Sequence, residues 1–481
     1  MSIQLSRRAF LGASLALAGN VALPRVALSQ QPTPRRLVAE RRVIDVLGRP
    51  GDAFRLRGDD GRHGLALRAG ERFLVDLENQ IGEETIVHWH GQTPDPAQDG
   101  VSDTGYVSPL TPGERRSYDF SPRAGTHWMH SHHALQKQAL LTAPLVVYTA
   151  EDEAADVQDV TVLLHDFAFR SPEEILSELT GGQSAGHDMH QQPAGGMSMG
   201  GGMMMGGMDH SMMSMDLNDV RYDAFLANDR TLDDPEIIRT EANAKVRLRL
   251  INAAASTSFW INLEDVEATV LAVDGNAVEP IRGHRFPLAP AQRLDLLVEM
   301  KGKAVVPVFA QVEGLQDRTG VILAANGADV PKFSSKAEQQ EAPVDLSLEE
   351  QLSAASPLPS KPTDRTVQTM AMGSMDPYAW NLDNAPWPNR TPLKIAEGER
   401  VTLEIMNHSM MAHPMHLHGH HFQVTVLNGR RLNGAMRDTV VVPAMGSVSV
   451  SFDADNPGRW LFHCHNLYHM MTGMMTEVVY G

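Results

Sequence analysis

Three segments of the sequence share one pattern, an alternating apolar stretch that ends at an asparagine. The segments are RFLVDLEN, which ends at Asn79, KVRLRLIN, which ends at Asn252, and RVTLEIMN, which ends at Asn407. Alternation of apolar and polar residues predicts a β-strand with one buried face. Turn residues bound most of the other apolar runs, and long helical patterns are scarce. We therefore predict an all-β protein made of three related β-sandwich domains.

Histidines recur at a fixed distance from two of these asparagines. Nine residues after the first stands His88, in HWHG, and nine after the third stands His416, in HLHG. The same place after the second asparagine holds Ile261. We therefore expect the first and third copies to carry the chemistry and the second copy to act as a spacer.

The ends of the first and third copies also match. GTHWMHSHHALQKQALLTAPLVV can be laid over GRWLFHCHNLYHMMTGMMTEVVY without a gap. With the upstream histidine segments included, four pairs of positions correspond: Thr85 with His413, Ser131 with Cys464, Gln136 with His469, and Leu141 with Met474. The expected organisation is a first domain at 36–150, a second at 157–328, a linker at 329–361 and a third domain at 362–481.

The N-terminus resembles a twin-arginine export signal. SRRAFLG is followed by the apolar stretch ASLALAGNVAL, and ALSQ offers a cleavage site between Ser29 and Gln30. The apolar stretch is too short to span a membrane comfortably. We expect residues 1–29 to be a leader that the twin-arginine machinery recognises, and the mature protein to be a soluble periplasmic monomer. The alternative is a basic arm followed by a buried helix.

Charge and cysteine content narrow the possible partners. The chain has 59 acidic and 41 basic residues, a formal net charge of −18. Such a chain repels nucleic acid and anionic membranes and attracts cations. Its single cysteine, Cys464, excludes an intramolecular disulfide, so this thiol is either a buried filler or has chemistry of its own.

Four H-x-H pairs are the strongest chemical signal in the sequence. On a strand, residues i and i+2 point to the same face, so each pair presents two imidazoles side by side. Imidazole is a common ligand of transition metals. The pairs match two and two between the first and third copies: His88 and His90, His130 and His132, His416 and His418, and His463 and His465.

Alternation also gives Cys464 its own partners. Because His463 and His465 face one way, the thiol between them faces the other way. His413 and His469 are the candidate imidazoles on that side, and Met474 is a candidate weak ligand. Two imidazoles, a thiolate and a distant thioether describe a blue-copper electron-transfer site.

HWHG, HSH, HPMHLHGHHF and HCHNLYHMMTGM together resemble the copper signatures of the multicopper oxidases, the family of laccases, ascorbate oxidase and bacterial cuprous oxidases. The resemblance implies three consecutive cupredoxin-like Greek-key β-sandwich domains and four copper ions. Its ligand pattern is type 1 copper at His413, Cys464, His469 and Met474, type 2 at His88 and His416, and type 3 at His90, His130 and His465 on one ion and His132, His418 and His463 on the other.

The resemblance also implies a reaction. Four one-electron oxidations at type 1 copper would be coupled to reduction of one O₂ to two waters at the other three ions. Asp99, in TPDPAQDGVS, matches the family acid beside type 2 copper and is the candidate for proton delivery. The alternative for Asp99 is a turn residue before Gly100.

A methionine-rich insertion at 183–215 indicates the reducing substrate. Thioethers are soft ligands that suit Cu(I), and glycine at this density cannot build a core. We therefore expect a cuprous oxidase of copper tolerance. The alternatives are a laccase acting on phenols or aromatic amines and a copper-sequestering protein without turnover. The candidate Cu(I)-capturing residues are Met189, Met197, Met199, Met203, Met204, Met205, Met208, Met212, Met213 and Met215.

Overall fold

The computed structural model describes residues 33–181 and 217–481, and residues 35–481 form one compact unit. The predicted leader and the ten candidate methionines lie outside the described residues. The first section of the chain forms two four-stranded sheets, ordered β2-β1-β4-β6 and β3-β8-β7-β5. Its strands are β1 (Arg35–Val46), β2 (Arg49–Gly58), β3 (Leu65–Leu67), β4 (Phe73–Gln80), β5 (Val87–His90), β6 (Arg115–Phe120), β7 (Gly125–Ser131) and β8 (Thr142–Val147). A short 3₁₀ helix spans Pro96–Gln98.

The middle section follows helix α1 (Ala150–Ala154) and contains helix α2 (Pro172–Leu179). Its strands are β9 (Gln158–Phe167), β10 (Ala224–Ala227), β11 (Ile237–Thr240), β12 (Lys245–Asn252), β13 (Phe259–Asn262), β14 (Ala268–Val273), β15 (Asn276–Gly283), β16 (Arg285–Leu288), β17 (Arg293–Glu299), β18 (Val305–Val312) and β19 (Arg318–Ala325). They form two sheets, ordered β10-β9-β12-β17-β14-β15 and β11-β19-β18-β13-β16.

The last section contains helix α3 (Leu467–Met471) and twelve strands. They are β20 (Arg365–Met375), β21 (Tyr378–Leu382), β22 (Leu393–Ile395), β23 (Arg400–Asn407), β24 (His413–Leu417), β25 (Phe422–Leu427), β26 (Arg430–Arg431), β27 (Met436–Arg437), β28 (Thr439–Val442), β29 (Ser447–Asp453), β30 (Arg459–Cys464) and β31 (Met475–Tyr480). One sheet is ordered β21-β20-β23-β29-β25-β26, with β27 paired to β25, and the other β22-β31-β30-β24-β28.

The three asparagine-ended strands occupy equivalent places. β4, β12 and β23 each lie between a parallel strand and an antiparallel one. Their alternation buries one face against the second sheet of the section, as in β4, whose buried residues include Phe73, Val75 and Leu77. The prediction of an all-β fold is confirmed.

The repeated asparagine holds the loop that follows its strand. Asn79 Nδ2 donates to the carbonyl oxygens of Glu83 and Leu110, while its Oδ1 accepts from the Ile81 amide. Asn252 and Asn407 make the same kinds of bond to their own loops. A buried amide with all these partners is costly to remove, which accounts for its recurrence at one structural position.

The predicted linker lies along the middle section. Leu348 and Leu352 are buried in the hydrophobic core of that section, and Ala354 forms a bridge with Val278 of β15. The exact domain bounds stay a prediction. No helix within the described residues is long and apolar enough to cross a membrane.

Candidate metal centre

Two strand pairs bring the eight paired histidines together. His88 of β5 lies opposite His130 of β7, and His416 of β24 lies opposite His463 of β30. His90 is the last residue of β5, and His132, His418 and His465 each come directly after the last residue of their strand. The rings of the first and last sections meet, with the His90 and His416 centroids 3.8 Å apart. All eight are buried: His88, His90, His130, His132, His416, His418, His463 and His465.

Backbone and acidic oxygens fix the outer nitrogens of these rings. His88 Nδ1 donates to the Asp99 carbonyl at 2.9 Å, and His130 Nδ1 to the Ser131 carbonyl at 3.0 Å. His463 Nδ1 donates to the Cys464 carbonyl at 2.9 Å, and His132 Nδ1 lies 3.5 Å from Asp103 Oδ2. A ring that donates through one nitrogen presents the lone pair of the other, so each outer bond selects a tautomer suited to metal binding.

The inner nitrogens fit a cation. Six of them are buried without any hydrogen-bond partner: Nε2 of His88, His130, His132, His416 and His465, and Nδ1 of His90. The remaining two, Nε2 of His418 and His463, face each other at 3.0 Å. A buried acceptor without a donor is destabilising by about 1–3 kcal/mol. Eight inner nitrogens gathered in one buried place, six of them without a partner, are therefore explained by metal ions and not by packing.

Burial also keeps six of these imidazoles uncharged. It lowers the pKa of His416 to about 3. Burial, strengthened by neighbouring rings or charges, lowers the pKa of five more well below the ordinary value: His90, His130, His418, His463 and His465. Neutral imidazole is the form that binds a metal.

The geometry gathers some of the predicted ligand sets more clearly than others. His132, His418 and His463 have donor atoms within 4.8 Å of one another, as the predicted type 3 set requires. The predicted set His90, His130 and His465 has ring centroids 5.0 to 5.7 Å apart. The type 2 candidates His88 and His416 have centroids 5.7 Å apart, and each also groups with other histidines, so the division of the eight among the ions stays a prediction.

A second, separate group surrounds the cysteine. His413 Nδ1 and His469 Nδ1 lie 3.1 Å apart, and Cys464 Sγ lies 3.7 Å from the first and 3.6 Å from the second. These three donor atoms form a triangle of the size that a trigonal N₂S copper site requires. Met474 is also buried, and its carbonyl accepts a bond from the Cys464 amide.

The hydrogen bonds at the outer nitrogens of His413 and His469 leave the lone pairs of their Nδ1 atoms facing each other. Ser409 Oγ can donate to Asn407 Oδ1, which leaves it to accept from His413 Nε2 at 2.7 Å. Asp219 Oδ1 accepts from His469 Nε2 at 3.2 Å. Both Nδ1 atoms are then unprotonated at 3.1 Å separation, an unfavourable arrangement unless a cation lies between them.

Asp99 and Asp438 join the two halves of the histidine cluster. Asp99 lies in the first section, and its Oδ2 accepts from His418 Nδ1 of the last section at 2.8 Å. Asp438 lies in the last section, and its Oδ1 accepts from His90 Nε2 of the first section at 3.0 Å. Their backbone carbonyls also correspond, because Asp438 O accepts from His416 Nδ1 at 2.8 Å as Asp99 O does from His88.

Sequence reasoning found Asp99 and missed three other groups at the candidate centres. They are Asp438, Asp219 and Lys137, whose Nζ lies 2.9 Å from His465 Nδ1 and donates to the His465 carbonyl. Burial lowers the pKa of Lys137 to about 7. Lys137 follows Gln136 directly and lies inside the matched segment, so its position was a usable signal. Asp219 is distant in sequence from the residues it contacts, so the sequence gave no signal for it.

The fold and the site define the class of protein. The chain forms three consecutive cupredoxin-like β-sandwiches. The first and the last bring eight histidines together, and the last also contains the separate group of His413, Cys464 and His469. This is the arrangement of a copper-dependent oxidase. Three multicopper oxidase family models match residues 63–152, 158–320 and 359–481. The chain belongs to the multicopper oxidase family.

Individual relatives agree with the family models. Multicopper oxidase MmcO of Mycobacterium tuberculosis is 31% identical over 422 residues, covering 85% of this chain and 80% of the relative. Copper resistance protein A of Escherichia coli is 25% identical and covers 99% of both chains. The crystal structure of Fet3p, described as a multicopper oxidase that functions in iron import, aligns with a TM-score of 0.73 at 17% identity, covering 92% of this chain and 90% of that one.

Proposed function

We propose that this oxidase acts on Cu(I) and passes the electrons to O₂, with four copper ions held by the twelve residues of the predicted ligand pattern. The observation that carries the proposal is that described residues on both sides of the methionine-rich segment pack near the Cys464 group. Copper bound at these residues would supply one-electron oxidation and the four-electron reduction of O₂ to water.

The flanks of the methionine-rich segment lie against the candidate type 1 centre. Helix α2, which ends shortly before residue 182, places Ile175 in the same hydrophobic cluster as Cys464 and Met474. Val220, on the other flank, is in that cluster too. The described residues on both sides of 182–216 therefore belong to the same hydrophobic cluster as residues that would accept an electron from the substrate.

Asp219 ties the second flank directly to a candidate ligand. It lies four positions after Met215 in the sequence, and its carboxylate accepts bonds from His469 Nε2 and Asn466 Nδ2. Burial alone would raise the pKa of Asp219, but His469 and these hydrogen bonds lower it below the ordinary value. A buried carboxylate at this edge of His469 favours a cationic substrate over a neutral phenol.

The chain's own residues would connect the two centres. Cys464 is covalently joined to His463 and His465, so one tripeptide reaches from the N₂S triangle to the histidine cluster. Asp99 is buried and accepts a hydrogen bond from His418, which supports its proposed role as the proton donor for O₂ reduction. We further propose that the twin-arginine leader directs the protein to the periplasm, where it works as a monomer in copper tolerance.

Two variants test the substrate. One lacks residues 183–215, and the other replaces the ten candidate methionines by leucine, which keeps side-chain size and removes only the sulfur. We expect both to raise the KM for Cu(I) by about 10-fold or more, because soft ligands are lost. Phenol oxidation should be unchanged in the leucine variant, and it should rise in the deletion if the segment hinders bulky substrates.

The same assays identify the competing functions. Unchanged Cu(I) oxidation in both variants would remove the proposed role of the segment. Phenol oxidation that exceeds Cu(I) oxidation in the unaltered protein would favour a laccase. Copper binding without O₂ consumption would indicate sequestration. The blue absorption of each variant serves as the control that the Cys464 group is intact.

A further inference from the structure

Arg293, in the middle section, contacts the histidine cluster through one intermediate residue. We propose that Arg293 is a positioning residue for the cluster: by pairing with Asp438 it makes His90 present Nδ1, and not Nε2, to copper. This inference rests on the proposed copper ligands but not on the proposed Cu(I) substrate. It gives a role at the cluster to a section that contains none of the twelve residues of the predicted ligand pattern.

Arg293 and Asp438 form a buried, two-point ion pair. Arg293 Nη1 donates to Asp438 Oδ1 at 2.7 Å, and Nη2 donates to Asp438 Oδ2 at 2.5 Å. The two side chains are 0% and 1% exposed. Two parallel bonds from a planar guanidinium fix both the place and the orientation of the carboxylate. Burial alone would raise the pKa of Asp438, but Arg293 lowers it well below the ordinary value.

The oriented carboxylate determines which nitrogen of His90 faces the cluster. Asp438 Oδ1 accepts from His90 Nε2 at 3.0 Å, so Nδ1 is the nitrogen left without a partner. In the other seven histidines of the cluster the inner nitrogen is Nε2. His90 is therefore the exception. Its Nε2 faces Asp438 Oδ1 and, at 3.3 Å, the hydroxyl of Thr439, which itself donates to that carboxylate oxygen.

Asp99 is the corresponding acid on the other side of the cluster, and it has no arginine partner among the described residues. Its carboxylate contacts His88 and His418. Within residues 33–181 and 217–481 it forms no ion pair with an arginine or lysine. Two corresponding acids thus have different surroundings, and only Asp438 is held by a guanidinium. We assign positioning to Asp438 and leave proton delivery to Asp99.

Further ion pairs link Arg293 to Asp274, Arg437 and Glu349. Arg293 Nη1 lies 3.6 Å from Asp274 Oδ1, and Arg437 Nη1 lies 3.4 Å from the same atom. Arg437 also pairs with Glu349 of the predicted linker at 2.8 Å. Buried ion pairs cost desolvation and are weak evidence of stabilisation. This network ends at Asp438, which contacts a histidine of the copper cluster. Its role is therefore better explained as holding the Asp438 carboxylate in a fixed orientation.

The test compares Arg293→Met with Arg249→Met. Arg249 is a matched control, because it is 0% exposed, lies on the neighbouring strand β12, and pairs with Asp159 and Asp295 without touching a cluster histidine. For Arg293→Met we expect copper affinity of the cluster to fall about 10- to 100-fold, with altered type 2 electron paramagnetic resonance and weaker near-ultraviolet absorption of the type 3 pair. Its blue absorption should persist. Arg249→Met should keep all three signals.

Arg293→Lys keeps the positive charge but loses the two-point geometry. It should give a smaller loss of the same signals. If Arg293→Met does not fold, this variant provides the test. Unchanged type 2 and type 3 spectra in a folded Arg293 variant would overturn the proposal. Equal loss of cluster copper and of Tm in the Arg293 and Arg249 variants would overturn it too, because the role would then be structural. A failed Cu(I) assay would leave these spectra as they are, so the two proposals fail separately.

Discussion

The H-S-H segment of the first section and the H-C-H segment of the last section form the same pocket with different contents. In the first, Gln136 Oε1 accepts from Thr85 Oγ1 at 2.7 Å and from Ser131 Oγ at 2.8 Å. In the last, the three corresponding side chains bring two nitrogens and a sulfur to within 3.7 Å. One pocket is closed by hydrogen bonds, whereas the other presents only lone pairs and a thiol.

The backbone around the two pockets corresponds closely. The Ser131 amide donates to the Leu141 carbonyl, and the Cys464 amide donates to the Met474 carbonyl. The Leu141 amide then donates to Gln136 O, just as the Met474 amide donates to His469 O. The fold therefore supplies the place, and three or four side chains decide whether it holds a metal. Exchanging those side chains between the two pockets tests this conclusion.

The largest effect should come from giving the last section the side chains of the first, as His413→Thr, Cys464→Ser and His469→Gln together. The hydrogen bonds gained, about 1 kcal/mol each, should let the copper-free variant fold with a Tm close to that of the copper-free parent. Oxidase activity, measured by O₂ consumption, should fall to background because the electron-accepting site is gone. Measurable turnover in this variant would refute the assigned role of the pocket.

A smaller effect is expected from Asp99→Asn. This variant tests the role of an acid of the first section that contacts His418 of the last section. Loss of the acid should slow O₂ reduction by about 100-fold, the size of a general-acid contribution. Anaerobic bleaching of the blue colour by the substrate should keep its rate, since Asp99 contacts His88 and His418 but none of the Cys464 group. Equal slowing of bleaching and of O₂ reduction would show that the residue acts elsewhere.

The reverse exchange tests whether the first pocket can be made to bind copper. Thr85→His, Ser131→Cys and Gln136→His together should create a second site that binds one further copper with thiolate absorption. Because larger rings enter a filled pocket, we expect a stability loss of about 1–3 kcal/mol in denaturant unfolding. A folded variant without additional copper absorption would show that the surroundings, such as Glu83 beside Gln136, matter as much as the ligands.

The smallest effect is expected from Ser131→Ala. It removes one of two hydroxyl bonds to Gln136 and should lower the free energy of unfolding by about 1 kcal/mol. Copper content and blue absorption should stay at the level of the parent, because Ser131 donates no metal ligand. A change in either would mean that the first pocket is coupled to the copper sites.

The pairing of these pockets could be predicted from sequence because it depends on strand alternation and a gapless match. Asp438 could not be found in this way. Asp99 follows His88 by 11 residues, whereas Asp438 follows His416 by 22, so loops of different length hide the correspondence. Asp219 and Arg293 reach the site from the middle section, where the sequence shows no histidine pattern. Such long-range contacts are set by how the sections pack together.

The most direct test of the central claim is a copper and absorption measurement on the copper-loaded protein and its Cys464→Ser variant. The parent should be blue and hold four copper ions per chain. The variant should lose the blue colour and one copper, keep the other three in the histidine cluster, and no longer oxidise Cu(I). A colourless parent, or a serine variant as blue as its parent, would contradict the account.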